Sequence, residues 1–336
     1  MITQCIKFFD HYKRLIVIII GVNGIFTLFL TAFHSNYEIP TQRISILKEE
    51  SSNNCHELEA CPPTPPNHLG RFSIDFEKES LYIVESRLSL SLQPGGWFAP
   101  KECKANDRVA IVVPKRGRDQ MLPILLKNLH PMLMKQQIEY GIYVVEQPTD
   151  QDFNRGALFN IAFKEALKMK EWDCFIFHDI DLIPFDDRNL YNCPSNEGPR
   201  YMPIGINIWD FIPRDGNQCG GIIAFTTEQY QTINGFSNLF WNWGGEDDDL
   251  CERCDFAGFN VTRRSVDFAV YQMLQHPQEV FNPNRFDILG QAAKYNNVSG
   301  LNSIKYHIQE FKIKPTHVHI FVDPSIVKEE LAKMYG

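Results

Sequence analysis

Residues 173–184 read DCFIFHDIDLIP. From Cys174 to Phe177 every side chain is apolar, without the polar alternation of a half-exposed strand; a run of this kind fits a strand covered on both faces. It leads into two acids, Asp179 and Asp181. The whole segment reads as a strand ending in acids, and its period of two turns Asp179 and Asp181 to one side and Ile180 to the other. Two carboxylates on one side of a strand end suit a divalent metal and a diphosphate; the plainer reading is a pair of turn-forming acids.

Working outward, RGALFNIAFKEALKMK (155–170) has amphipathic helical spacing and YGIYVVEQ (140–147) reads as a strand. QMLPILLKNLHPMLMKQQ (120–137) is again helical, and RVAIVVP (108–114) is a continuous apolar strand bounded by proline. Strand, helix, strand, helix, strand predicts an open α/β sheet. Ligands in such sheets lie at the carboxyl ends of the strands. There the chain carries Asp179 and Asp181, and also PKRGRD (114–119) with Arg116 and Arg118. Guanidinium groups at that place suit a phosphate or a uracil ring, against the plainer reading of a solvated basic loop. Phe153 and Arg155 stand at the start of a helix, where anionic ligands are favoured.

A second segment, WNWGGEDDDL (241–250), sets two tryptophans and two glycines before Glu246, Asp247, Asp248 and Asp249. Acids favour the first turn of a helix, and LCERCDFAG continues as one. One or two acids suffice for that, and four adjacent ones repel each other unless a cation or a hydroxyl-bearing ligand sits among them. Met273 and His276, three apart in YQMLQHP, are on their own more often packing residues than ligands. As ligands, a mixed oxygen, nitrogen and thioether set suits manganese better than structural zinc.

The chain of 336 residues, 44% hydrophobic, can hold one large globular domain with appendages. Its formal charge of −8 argues against a nucleic-acid binder, which would show a basic face. Leu15 to Phe33 carries no charge and follows Lys7, Lys13 and Arg14. That length spans a bilayer, and the flanking charges predict residues 1–14 as a cytosolic tail and 15–33 as a single-pass signal-anchor. Residues 34–57 read as a stem and 58–336 as a luminal domain. In an oxidising lumen cysteines can pair. Cys251 and Cys254 form a CxxC without a second half, so they read as buried thiols on one helical face rather than a zinc site. Asn260 and Asn297 head glycosylation sequons.

The ordered set VVPxRxR, FNRG, DxD, GG, NGF, WGGEDDD, MxxH and NPxRFD, from about Cys61 to Asp323, resembles the β1,4-galactosyltransferase family of Golgi enzymes. The resemblance implies an inverting transferase of the GT-A fold, a Rossmann-like mixed open sheet flanked by helices, in a type II Golgi membrane protein. It implies Mn²⁺ on Asp181, Met273 and His276, and uridine diphosphate on Pro114, Arg116, Arg118 and Phe153. Arg155, Asp179, Gly221 and Glu246 match positions around the donor sugar. Trp243 matches the tryptophan of a mobile loop that continues through Gly244 and Gly245 beside the acceptor. Asp247 matches the general base, Asp248 an acceptor-binding carboxylate, with Asp249 serving the helix start. Arg285, Phe286 and Leu289 match the acetamido pocket of an N-acetylglucosamine acceptor. The family's disulfides fall on Cys61 with Cys103 and on Cys174 with Cys193, leaving Cys55, Cys219, Cys251 and Cys254 unassigned.

The departures bear on specificity. Lys115 and Gly117 replace Phe and Asn, Asn242 replaces a glycine, and Asp215 replaces an acceptor-contacting tyrosine. Gln218 and Cys219 stand where the family carries Tyr and Phe, and that tyrosine crowds C2 of the donor sugar. The expected donor is therefore UDP-galactose, with UDP-GalNAc as the alternative that the smaller, flexible Gln218 admits. His178, Gly300-Leu301-Asn302 and Lys305-Tyr306-His307 are shared with linker-type relatives, whereas WGGEDDD favours a GlcNAc-terminated glycan acceptor. A catalytically silent sugar-binding module would be expected to lose Asp181, Asp247 or His276, and a nucleotide-sugar hydrolase would need no Arg285 or Phe286. Oligomeric state, a homodimer included, and any accessory membrane protein stay open.

Overall fold

The computed structural model describes residues 58–216 and 218–326. The predicted tail, signal-anchor and stem, with Cys55, lie outside the described residues. Among the described residues no helix is long and apolar enough to cross a membrane.

Three parallel strands form the centre: β1 (Arg108–Lys115), β2 (Glu139–Glu146) and β3 (Cys174–His178). They lie in the order β2-β1-β3, with Val109 opposite both Tyr140 and Cys174. The continuous apolar runs are explained by cover on both faces. Val109, Ile111 and Val113 pack with Leu125 and Leu129 of one helix, while Ala110 and Val112 pack with Phe159 and Phe163 of another. Each such fully buried side chain contributes about 1.5–3 kcal/mol. A short first helix, α1 (Leu81–Leu88), precedes the sheet; α2 (Met121–Lys135) and α3 (Arg155–Met169) are the two crossovers. Pro131 inside α2 costs that helix one backbone hydrogen bond, while the buried face through Leu125, Leu129 and Leu133 holds it on the sheet. Asn154 caps α3 by accepting the Ala157 N–H at 2.8 Å.

The predicted third strand does not run from 173 to 184. It stops at His178, turns through Asp179–Asp181, and resumes as β4 (Leu182–Pro184) in another sheet. The Asp179 N–H still follows the β3–β7 register, donating to Gly221 O at 3.0 Å, and the turn then closes with the Leu182 N–H on Asp179 O at 3.4 Å. The small second sheet has the order β4-β9-β6, with β6 (Gly205–Ile206) and β9 (Val270–Met273). Leu182 pairs with Met273, which brings the segment after β9 beside Asp181.

The large sheet is extended by β7 (Ile222–Thr226), antiparallel to β3, then by β5 (Arg200–Tyr201) and β8 (Thr262–Arg263). On its other side β11 (Val318–Asp323) runs parallel to β2, with β10 (His307–Ile313) at the edge. The result is the mixed open sheet flanked by helices that was expected. The helix of the acidic segment is α5 (Glu246–Phe256), after α4 (Thr227–Thr232); α6 (Arg285–Leu289) and α7 (Ala292–Tyr295) follow.

Cys61 bonds to Cys103 and Cys174 to Cys193, as the resemblance implied. A third disulfide, Cys219–Cys251, corrects the reading of Cys251 as a thiol; Cys254 is a buried thiol as expected. On a helix the residues i and i+3 sit on neighbouring but distinct directions, and Cys251 is the one turned to the loop before β7. Asn260 and Asn297 are both exposed.

Candidate active site

The turn after β3, the loop after β1 and the segment after β9 open onto one cavity of about 670 Å³. It is lined by Pro114, Arg116, Arg118, Phe153, Arg155, Asp179, Asp181, Gln218, Gly221, Trp243, Glu246, Asp247, Met273 and His276. Residues separated by more than 160 positions in sequence thus share one wall. Gly244, Gly245, Asp248, Arg285, Phe286 and Leu289 do not line it.

One end of the cavity is cationic. Gly117 and Arg118 both have positive φ, 62° and 56°, so the loop after β1 reverses sharply and sends both arginines inward. Arg116 donates from Nη1 to Gln151 O at 2.7 Å and lies over the Phe153 ring at 5.3 Å. A carboxylate that the sequence reading missed binds both guanidinium groups: Glu279 accepts from Arg116 Nη2 at 2.5 Å and from Arg118 Nη2 at 2.8 Å. Its only sequence signal was an acid three residues after His276. Lys115, which replaces an aromatic, is buried between Glu146 and Asp119 and faces away from this role.

Asp181 lies between the two ends. Its Oδ2 sits 2.8 Å from His276 Nε2 and 3.3 Å from Arg118 Nη1. His276 Nδ1 is 2.7 Å from Pro277 O. An Nδ1–H donated to that carbonyl leaves Nε2 as the ring atom that faces Asp181. With the Met273 thioether on the same wall, a carboxylate, an imidazole and a sulfur converge, a donor set that fits a borderline divalent ion.

The other end is acidic around a single buried arginine. Arg155 Nε donates to Asp179 Oδ1 at 2.7 Å, Nη2 donates to Gly221 O at 3.3 Å, and Nη1 reaches Glu246 Oε1 at 3.5 Å. Its guanidinium stacks over Phe159 at 4.8 Å. Burial lowers the Arg155 pKa, but Asp179 and Glu246 outweigh that and raise it. Burial pushes the Asp179 and Glu246 carboxyls upward, with Arg155 opposing the shift in both. Glu246 Oε2 is buried and accepts no hydrogen bond.

Asp247 follows Glu246 on α5 and packs against Gly220, where any Cβ would overlap its Oδ2. This explains the first glycine of the GG pair, which the sequence reading had left without a role. Asp248 is exposed, its carboxyl raised by burial and by Asp247. Asp249 does not serve the helix start: it is buried and paired with Arg253 Nε at 2.5 Å, one turn along. Gln218 is half-buried, its Nε2 donating to Asp215 O at 3.3 Å.

Trp243 is half exposed and held to the segment after His276. Its N–H donates to Val280 O at 2.9 Å, and Asn282 N–H donates to Trp243 O at 3.0 Å. Asn242 has φ 64°, a left-handed conformation that Asn adopts more readily than most residues, and its N–H donates to Phe153 O at 2.6 Å. Gly244 and Gly245, at φ 107° and 96°, then turn the chain into α5. A Cβ on Gly244 would come within 2.8 Å of Arg285 Cδ, so the acetamido-pocket candidates flank this turn. Arg285 lies over the ring of Phe286, which is exposed.

Comparison with known proteins agrees with this architecture. The family model for the N-terminal region of glycosyl transferase group 7 matches residues 61–194, and that for the N-terminal domain of galactosyltransferase matches 203–277. β1,4-Galactosyltransferase 4 of Cricetulus griseus is 36% identical over 299 residues, covering 88% of this chain and 86% of its own. The Homo sapiens β1,4-galactosyltransferase 4 is 39% identical over 280 residues, covering 82% of this chain and 80% of its own. Among solved structures, the catalytic domain of Drosophila β1,4-galactosyltransferase 7 with xylobiose is 26% identical with a TM-score of 0.55, covering 65% of this chain and 93% of that one. A mutant of that enzyme in complex with manganese, UDP-Gal and xylobiose is 25% identical with a TM-score of 0.53, over the same shares of the two chains. Likeness of this extent, on a chain with this sheet and this cavity, makes it a member of the β1,4-galactosyltransferase family of hexosyltransferases.

Proposed function

We propose that this chain is a manganese-dependent inverting transferase that moves galactose from UDP-galactose in β1,4 linkage to a terminal N-acetylglucosamine of a glycoprotein or glycolipid. The observation that carries the reading is the division of one cavity into a two-arginine end and an acidic end that contains Asp247. Manganese, UDP-Gal and a sugar acceptor occur together in the solved relative.

In this reading Arg116, Arg118 and Pro114 hold the uridine diphosphate, with Phe153 beside them. Asp181, His276 and Met273 would hold the metal, which supplies Lewis-acid neutralisation of the diphosphate. Arg155, Asp179, Gly221 and Glu246 orient the donor sugar. Asp247 takes the proton from the acceptor hydroxyl as that oxygen bonds to the anomeric carbon and the bond to the diphosphate oxygen breaks, inverting the centre. Trp243, Gly244 and Gly245 close over the donor and exclude water. Asp248, Arg285, Phe286 and Leu289 receive the acceptor.

A second donor is favoured by one feature. Gln218 is drawn toward Asp215 O, which leaves the cavity wall before Gly220 without a bulky ring. UDP-GalNAc then fits as the alternative donor. In the cell we place residues 15–33 in the Golgi membrane with the catalytic part luminal, Asn260 and Asn297 being accessible sequons.

The test is a donor comparison on the full-length protein with Mn²⁺ and a GlcNAc glycoside. Faster transfer from UDP-Gal supports the first donor, and faster transfer from UDP-GalNAc assigns the second. Transfer from neither, with Asp181→Ala leaving UDP binding unchanged, overturns the enzyme reading in favour of a silent module.

A further inference from the structure

We propose that the Cys219–Cys251 disulfide is a positioning clamp that sets Asp247 against the donor-sugar loop; the inference rests on the role proposed for Asp247. The two ends of this bond are placed for that purpose. Cys251 lies four residues after Asp247 on α5, so the two share one face of the helix a turn apart. Cys219 directly precedes Gly220, the residue against which Asp247 packs. The covalent tie therefore sits immediately behind the contact between Gly220 and Asp247. Both half-cystines are shielded from solvent, at 2% and 8% exposure.

The loop needs such a tie. Between β6 and β7 it passes Asp210 and Phe211 in left-handed conformations, φ 48° and 59°, and then runs exposed from Arg214 to Gly216. Its contacts there are surface ones: Arg263 Nη1 donates to Arg214 O at 3.0 Å, and Gln218 reaches back to Asp215 O. Exposed hydrogen bonds of this kind hold a loop weakly. At the far end Gly221 O is held by the Asp179 N–H at 3.0 Å and by Arg155. The Gly220–Gly221 pair is thus fixed on the donor side by hydrogen bonds and on the acceptor side by the disulfide. The bond sets the distance between Asp179, held to Gly221, and Asp247 on α5, so its residues are positioning residues that touch no substrate.

The experiment compares the full-length protein with C219A/C251A. Positioning predicts a kcat for transfer about tenfold to a hundredfold lower, the range expected for an ångström-scale misplacement. The Kd for UDP stays within about twofold, because Arg116, Arg118 and Phe153 lie on other elements. Amide hydrogen exchange is faster in residues 218–222 and 246–250 and unchanged in β1. An unchanged kcat with a lower Tm overturns the proposal and makes the bond a structural staple. Parallel losses of kcat and UDP affinity, with exchange raised in β1, also overturn it. If the double alanine variant does not fold, C219V/C251A refills the volume without the bond and the same readings apply. If the unaltered protein transfers no sugar, the proposed function fails on its own, and the exchange pattern alone decides the clamp.

Discussion

The two ends of the cavity hold their charges in opposite ways. At the cationic end two arginines share Glu279, a carboxylate on a segment outside any helix or strand. At the acidic end one arginine, rooted in the first turn of α3 and stacked on Phe159, serves Asp179, Glu246 and the Gly221 carbonyl. In the proposed reading an incoming diphosphate replaces Glu279, whereas a sugar entering the acidic end meets groups that are already in place. The comparison separates an exchangeable site from a preorganised one, and preorganised polar groups are what stabilise charge that develops during reaction.

The largest effect expected is on the acidic end. Asp247→Asn lowers kcat by about 10²–10⁴-fold while the Kd for UDP changes less than about twofold, as steady-state kinetics and calorimetry will read. Equal losses in both would merge the two ends into one unit. Next, Arg155→Met leaves the partly buried Asp179 and Glu246 without their cation, and thermal unfolding should register a loss of up to about 3 kcal/mol. Arg116→Met at the exchangeable end should cost less in the same measurement, because Glu279 keeps Arg118 as a partner at 2.8 Å. Similar costs for both arginines would break the comparison.

The scaffold itself limits the pH at which the two ends can be compared. Burial lowers His130 to about 4 and His317 to about 3, from an ordinary value of 6.5; His130 is bonded to Tyr140 and Thr316 O, and His317 faces His319, His130, Lys314 and Lys115. The unfolded chain binds protons at both as pH falls below 6.5, while the folded chain does not until about 4. The stability they contribute is therefore complete above 6.5 and lost on acidification. The Tm difference between the protein and His130→Gln is expected to be constant above that pH and to shrink below it. The smallest effect is at Glu279: Glu279→Gln removes the competing charge, and UDP binding should tighten about threefold to tenfold, under about 1.4 kcal/mol. Weaker binding would show Glu279 to be part of the site and not a placeholder.

How much of this was legible in the sequence follows the range of the interactions. The β1, β2 and β3 runs could be read because burial on both faces writes itself into consecutive residues. The turn at Asp179–Asp181 could not, since it depends on Leu182 leaving for a second sheet, where it pairs with Met273, some ninety residues away. The small sheet escaped because strands as short as Gly205–Ile206 carry no period. Most cavity residues were recoverable through ordered motifs, yet Glu279, Gly220 and the Cys219–Cys251 bond were not. Each has its meaning in a partner distant along the chain. Asp249 was misread although its partner is local: its position in the acid run suggested the helix start, and its carboxylate is buried against Arg253, four residues on.

The most direct measurement is the anomeric configuration of the product formed from UDP-galactose and a GlcNAc glycoside with Mn²⁺, read by proton NMR. A β-linked disaccharide, formed by the full-length protein and abolished in Asp247→Asn, is the expected result. An α-linked product, or free galactose with UDP and no disaccharide, would contradict a single inverting displacement with Asp247 as its base.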